Sequence, residues 1–228
     1  MWWTCWMTLA PAADVTPEQV KAAVARVEAA APVDAKQLEG TWVAGATYTW
    51  FEASDEVLEM PNGFDLELDS LGAFRQGASE GWYTFKPSTR SLTMDGRRDD
   101  ATFRVSLDGD RLDLVSAQDT VIVWGSFTRS DRPPPAIPAP VAVDADLVQW
   151  LLPMEAWPRP REAPLDPATC AVPVFLHPRG LARVDGPITG CTIDYHPHVA
   201  RVIEGAKALP DPQGRPRTAV VNVAYVIP

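Results

Sequence analysis

The chain has 228 residues, 23 of them proline and 9 tryptophan, and a formal net charge of -10. That length suits one large domain or two small ones, each able to bury a core, and so many prolines favour short strands and linkers over a helical bundle. Residues 34–131 carry 18 acidic and 9 basic side chains, and residues 132–228 carry 9 of each, so neither half has the basic footprint that a DNA or RNA partner requires. No run of 18 apolar residues is present, and no transmembrane helix is expected.

Residues 1–13, MWWTCWMTLAPAA, are apolar and end in small residues. They read as the end of a secretory signal peptide, with a cleavage site between Ala10 and Ala13, although no basic residue precedes the apolar run. Residues 14–33 hold a helix. Thr16 can cap it, Pro17 suits its first position and Gln19 completes a capping box. Val20, Val24 and Val27 form one narrow apolar stripe.

From 34 to 130 the hydrophobic period changes to two. LEGTWVAGATYTWF (38–51) is a long opening strand. FDLELDS (64–70), EGWYTFKP (80–87), RSLTMDG (90–96), ATFRVSLDGDRLDLVS (101–116) and TVIVWGSFTR (120–129) follow as alternating runs, with Asp108-Gly109-Asp110 as a hairpin signal. Short strands at this spacing indicate an antiparallel barrel or sandwich. Trp42, Trp50, Trp82, Phe103 and Trp124 are the expected aromatic lining of its interior. The Leu-x-Gly-Thr-Trp opening, the Gly81-Trp82-Tyr83-x-Phe85 strand and the Leu-Asp-Gly-Asp-x-Leu-x-Leu hairpin resemble the bacterial lipocalin-like domains over roughly 95 residues. The resemblance implies a β-barrel scaffold, often in an envelope protein.

Residues 131–145 form a proline-rich linker, expected to be extended and stiff. In the remaining part, 146–228, ADLVQWLL (145–152) reads as a short helix and 153–169 as irregular. Val172 to Leu176 is a strand, His177-Pro178-Arg179-Gly180 a turn, and Leu181 to Val184 a returning strand. Pro197 to Ala208 is a helix with Val199, Val202, Ile203 and Ala206 on one face. DPQGRP (211–216) turns the chain into a last strand, TAVVNVAYVI (218–227). This ββαβ order, with its HPRG and QGRP turns and Gly190-Cys191, resembles the C-terminal domain of TonB-type energy transducers. The resemblance implies a protein- or peptide-binding module, without the transmembrane helix and long linker of a complete transducer. The expected class is mainly β with an α+β second domain.

Cys170 and Cys191 flank the first hairpin of this unit, and in an oxidising compartment they would form a disulfide. A regular register sets Cys170 opposite a residue near Pro187, so the pairing requires a bend or bulge. His177, His196 and His198 lie nearby with Asp194, but Pro197 separates two of them and no fourth ligand is evident, so they read as surface histidines and no metal or cofactor is expected. There is no phosphate-cradling glycine loop and no cysteine with a histidine partner. The carboxylate pairs Asp99-Asp100 and Asp108/Asp110 sit in turns.

The sequence therefore points to a non-catalytic, exported, periplasmic cell-envelope protein. Its last strand would lie at a sheet edge, and Val220, Val221, Asn222, Val223 and Ala224 would bind an envelope protein or peptide by strand addition. The alternative is a carrier that holds a small apolar ligand inside the barrel.

Overall fold

The computed structural model describes residues 15–60, 64–96, 100–132, 136–151 and 168–225. They divide into two units, one ending at residue 135 and the other starting at residue 136. The expected signal remnant at 1–13 and nearly all of the irregular stretch at 153–169 lie outside the described residues.

Unit 1 begins with α1 (Pro17–Ala29), where the Gln19 side chain accepts from the Thr16 N–H at 2.8 Å as the capping box requires. A single helical turn, α2 (Ala35–Leu38), follows. Nine strands come next: β1 (Gly40–Phe51), β2 (Glu56–Met60), β3 (Leu66–Leu68), β4 (Ala73–Gln76), β5 (Ser79–Lys86), β6 (Ser91–Gly96), β7 (Asp100–Asp108), β8 (Arg111–Gln118) and β9 (Val121–Arg129). The sheet runs β2-β1-β3-β4-β5-β6-β7-β8-β9 and closes on itself through β1–β9. Every pairing is antiparallel, and β2 hangs from the far half of β1, so the closed barrel has eight strands. Two of the nine, β2 and β4, show no alternating period in the sequence.

The register between β1 and β9 slips once. Ala44 pairs with Phe127, but Thr47 pairs with Gly125, which leaves one extra residue in β1. A bulge of one residue reverses which face the following side chains take. Gly45 sits inside it, where a Cβ would meet the Ser126 carbonyl oxygen at 2.8 Å. Before the bulge, Trp42 faces inward with Leu66, Leu68, Phe74, Leu92, Val105, Leu112 and Phe127. After it, Tyr48 and Trp50 face outward, opposite Trp124 and Ile122.

That reversal corrects the expected interior. Trp42 is fully buried inside, and Phe103 packs against the same interior cluster. Trp50 and Trp124 belong to a different cluster on the outer face, under Val20, Ala23 and Val27 of α1. Trp82 also leaves the interior. It pairs with Asp95, whereas its neighbours Tyr83 and Phe85 pair with the inward Met94 and Leu92. The interior is closed at one end by Val33 and Leu38, and Leu38 accepts a 2.8 Å hydrogen bond from the Trp42 indole through its carbonyl.

Two arginines fasten the N-terminal segment to the barrel. Arg90, in the β5–β6 turn with φ of +51°, donates to the carbonyls of Val27, Glu28 and Ala30 at the C-terminal end of α1. A cation there satisfies carbonyls that no helical N–H reaches and opposes the helix dipole. Arg129 does the same for Gln37 and Glu39 around α2, and its guanidinium lies 4.2 Å from the Trp42 ring centroid.

The described residues of unit 2 form β10 (Val141–Ala142), a 3-10 turn at Ala145–Leu147, β11 (Ala168–Leu176), β12 (Ala182–Val184), a 3-10 turn at Ile193–Tyr195, α3 (His196–Gly205) and β13 (Arg217–Tyr225). The sheet order is β10-β13-β11-β12. The second half of the expected linker therefore belongs to this unit, since Val141 and Ala142 pair with β13. The expected helix at 145–152 is only the 3-10 turn; beyond it the chain is extended, with Trp150 bridged to Ala208. Residues of β11 and β13 alternate, and Val172, Val174, Leu176, Ala219, Val221 and Val223 meet Tyr195, Val199 and Ile203 in the core.

Replacing Arg90 with alanine removes three hydrogen bonds to α1 and should lower the stability of unit 1 by about 1–3 kcal/mol. Urea unfolding followed by tryptophan fluorescence measures this, and amide exchange should show α1 losing protection first. An unchanged midpoint with α1 still protected would show that Arg90 does not hold the helix.

Candidate functional site

The exposed edge of β13 is the site with the clearest geometry, and its direction is fixed by its neighbours. Within a strand, the N–H and C=O of one residue point to the same side, and the next residue points to the other. The β11 residues facing Val220 and Asn222 are Pro173 and Ala171. The Pro173 carbonyl accepts from the Asp185 N–H at 2.9 Å, and Ala171 exchanges two hydrogen bonds with Thr189, at 2.8 and 3.0 Å. Both residues thus turn away from β13. Proline is tolerated in this inner strand because its missing donor falls on the side where pairing is sparse. Val220 and Asn222 must then direct their own N–H and C=O away from β11, and so must Ala224, which faces Thr169.

On that outer side lies β10, which runs parallel to β13 and reaches only Arg217 and Thr218. The Val141 N–H donates to the Pro216 carbonyl at 3.0 Å and the Val143 N–H to the Thr218 carbonyl at 2.9 Å. These bonds place the carbonyls of Pro216 and Thr218 on the same side as those of Val220, Asn222 and Ala224. Among the described residues no strand pairs with β13 beyond Thr218 on this edge. Val221 and Val223 instead face the core, 3% exposed each, while Val220 is 57% exposed. The five residues expected at the edge are therefore of two kinds: three offer backbone groups, and two anchor the strand.

The disulfide stands close by. Cys170 and Cys191 have Cα atoms 5.0 Å apart and sulfurs at bonding distance. The bend that this pairing required is present. Val174 pairs with Val184, but Ala171 bridges to Thr189, so the register shifts by two residues across Asp185–Ile188. Gly186, with φ of +149°, lies in that shift.

The other sequence candidates do not assemble. His177 is buried in the β11–β12 turn, contrary to the expected surface position, and its Nδ1 accepts from the Arg179 N–H at 3.1 Å. His196 and His198 stand at the start of α3. Among the described residues no three His, Cys, Asp or Glu side chains are grouped to hold a metal ion. In unit 1, Asp113 is buried but is engaged by Arg111 and by the Trp124 indole, a structural arrangement. The Tyr83 hydroxyl donates to the Asp69 carbonyl at 2.8 Å, and burial raises its pKa far above the usual phenol range. Asp95 faces Asp100 across β6–β7; partial desolvation, and then that like charge, raise its pKa. A cleft of about 310 Å³ runs between α1 and strands β7 and β8, lined by Val24, Val27, Glu28, Arg104 and Val115 among others, and it is half open.

Compared with known proteins, the chain matches no family model, no curated protein and no solved structure.

Two outcomes follow from this geometry. Replacing Cys191 with serine opens a loop of 21 residues and should lower the stability of unit 2 by about 3 kcal/mol, with the unit 1 transition unmoved; differential scanning calorimetry reads both. Replacing Asp95 with asparagine should stabilise unit 1 at neutral pH. Because its pKa is raised in the folded state, the penalty on the charged form is present above that pKa. It fades as pH falls through it and is gone below the ordinary aspartate range, where wild type and variant should melt together.

Proposed function

We propose that the chain is a non-catalytic, exported cell-envelope protein whose second unit binds a peptide or partner protein by strand addition along β13. The barrel of unit 1 serves as scaffold. The observation that carries this reading is the free edge itself. Three residues, Val220, Asn222 and Ala224, direct their N–H and C=O groups outward with no strand opposite them among the described residues. An incoming extended segment would gain backbone hydrogen bonds there, each worth about 0.5–1.5 kcal/mol net, while Val221 and Val223 keep the template strand pinned to the core. Affinity would come from the backbone and selectivity from side chains lying against Val220 and Asn222.

Further support comes from the order of elements. The ββαβ arrangement of β11, β12, α3 and β13 is the one on which the resemblance to TonB-type C-terminal domains rests. The Cys170–Cys191 pair fits an oxidising, periplasmic compartment. A carrier role for the barrel has less behind it, because Trp42, Leu66, Leu68, Leu92 and Leu112 fill the interior.

A library of extended heptapeptides screened against the oxidised full chain tests the proposal. Retained peptides should protect the amides of Val220, Asn222 and Ala224 from hydrogen exchange. Asn222→Pro, which removes one outward donor at an edge position where proline is tolerated, should weaken their binding about tenfold. Peptides that bind without protecting these amides, or a library from which none is retained, would sink the reading.

A further inference from the structure

The β13 edge is not wholly free, and the segment that starts to cover it has unusual features. Strand β10 is only two residues long and lies at the outermost position of its sheet. Pro138 and Pro140 stand immediately before it, in phase with Ala142, so their missing donors lie on the side away from β13. After Val143 the chain turns away at once: the Asp144 side chain caps the 3-10 turn by accepting from the Asp146 N–H at 3.1 Å. Toward the open edge, pairing therefore stops at the Thr218 carbonyl. Val141 and Ala142 are both solvent-exposed, Val141 at 38%, whereas Val143 beside them packs against the core.

From this geometry we infer that β10 is a built-in competitor for the β13 edge, an intramolecular strand that a partner strand displaces. The inference rests on the strand-addition reading and adds its regulation. A partner confined to Val220–Ala224 meets only three outward-facing residues. A partner using the whole edge also takes the carbonyls of Pro216 and Thr218, and β10 holds both of these. Because β10 is tethered to the sheet it caps, it competes at a high effective concentration. The apparent affinity of a partner that uses the whole edge then falls in proportion to the fraction of molecules in which β10 is released.

The probe is a fluorescently labelled synthetic peptide of residues 136–145, AIPAPVAVDA, added to the oxidised full chain. It is compared with a Val141→Pro/Val143→Pro variant, which lacks both donor N–H groups of β10. The variant is expected to bind the peptide about tenfold more tightly than wild type, by fluorescence anisotropy, with an unchanged circular dichroism spectrum. Equal affinity for the two proteins would overturn the competitor while leaving strand addition intact. A folded variant that binds no peptide, even though peptides from the library protect the edge, would overturn it as well. If none protects, strand addition itself fails.

Should the variant not fold, hydrogen exchange on wild type alone decides. Saturating peptide should deprotect the Val141 and Val143 amides while protecting those of Val220, Asn222 and Ala224. Protection gained at the edge with β10 undisturbed would exclude displacement.

Discussion

One extra residue in β1, between Ala44 and Thr47, shapes most of unit 1. Without it, the alternation begun by Trp42 would carry Tyr48 and Trp50 into the barrel, where Leu66, Leu68, Leu92 and Phe127 already fill the space. With it, those aromatics emerge on the outer face beside Trp124 and Ile122. An apolar surface of that kind cannot be left in water, and α1 covers it with Val20, Ala23 and Val27. The helix is thereby part of the fold. Its C-terminal carbonyls are held by Arg90, a residue in the left-handed region that aims its side chain back across the sheet. Bulge, helix and arginine form one dependency.

In unit 2 the corresponding constraint is the direction of backbone hydrogen bonds. Pro173 in an inner strand is acceptable only where its nitrogen faces away from the fully paired neighbour. That choice sets the phase of β11, and the antiparallel register transmits it to β13. The outward direction of Val220, Asn222 and Ala224 is thus settled by residues of another strand. The disulfide holds the start of β11 to the segment leading into α3, so the strand that backs β13 is tied down at the end that lies opposite the free edge.

Much of this was legible in the residues. Period-two alternation and the Asp108-Gly109-Asp110 hairpin marked most barrel strands, and the spacing of turns marked the ββαβ order and the cysteine pairing. What escaped has physical reasons. Period alone places Trp50 inside, because a bulge is a break in register between two strands and no local signal in β1 declares it. Strands β2 and β4 set apolar residues side by side, Val57 with Leu58 and Ala73 with Phe74, so neither shows an alternating period. Strand β10 hid in a proline-rich stretch, where composition argues for a linker and only tertiary pairing makes two residues a strand. Trp82 and Trp124 are expected inward with the other aromatics, yet alternation relative to Phe85 and Phe127 turns both outward.

Edges offer a comparison within the one molecule. Strand β2, at the margin of the barrel sheet, is short and carries Glu56 and Glu59. At the margin of the second sheet, β12 has three residues including Arg183, and Gly186 and Pro187 follow closely. Both show the usual protections against unwanted pairing, namely brevity, charge and turn residues. Strand β13 has none of these from Thr218 to Ala224: seven residues without a charge, a proline or a bulge. A template of that kind invites other strands indiscriminately, and the local answer among the described residues is β10, which takes only its first two positions. The contrast with the two guarded edges is what an edge kept for regulated pairing requires: open enough to accept a strand, and partly occupied until one arrives.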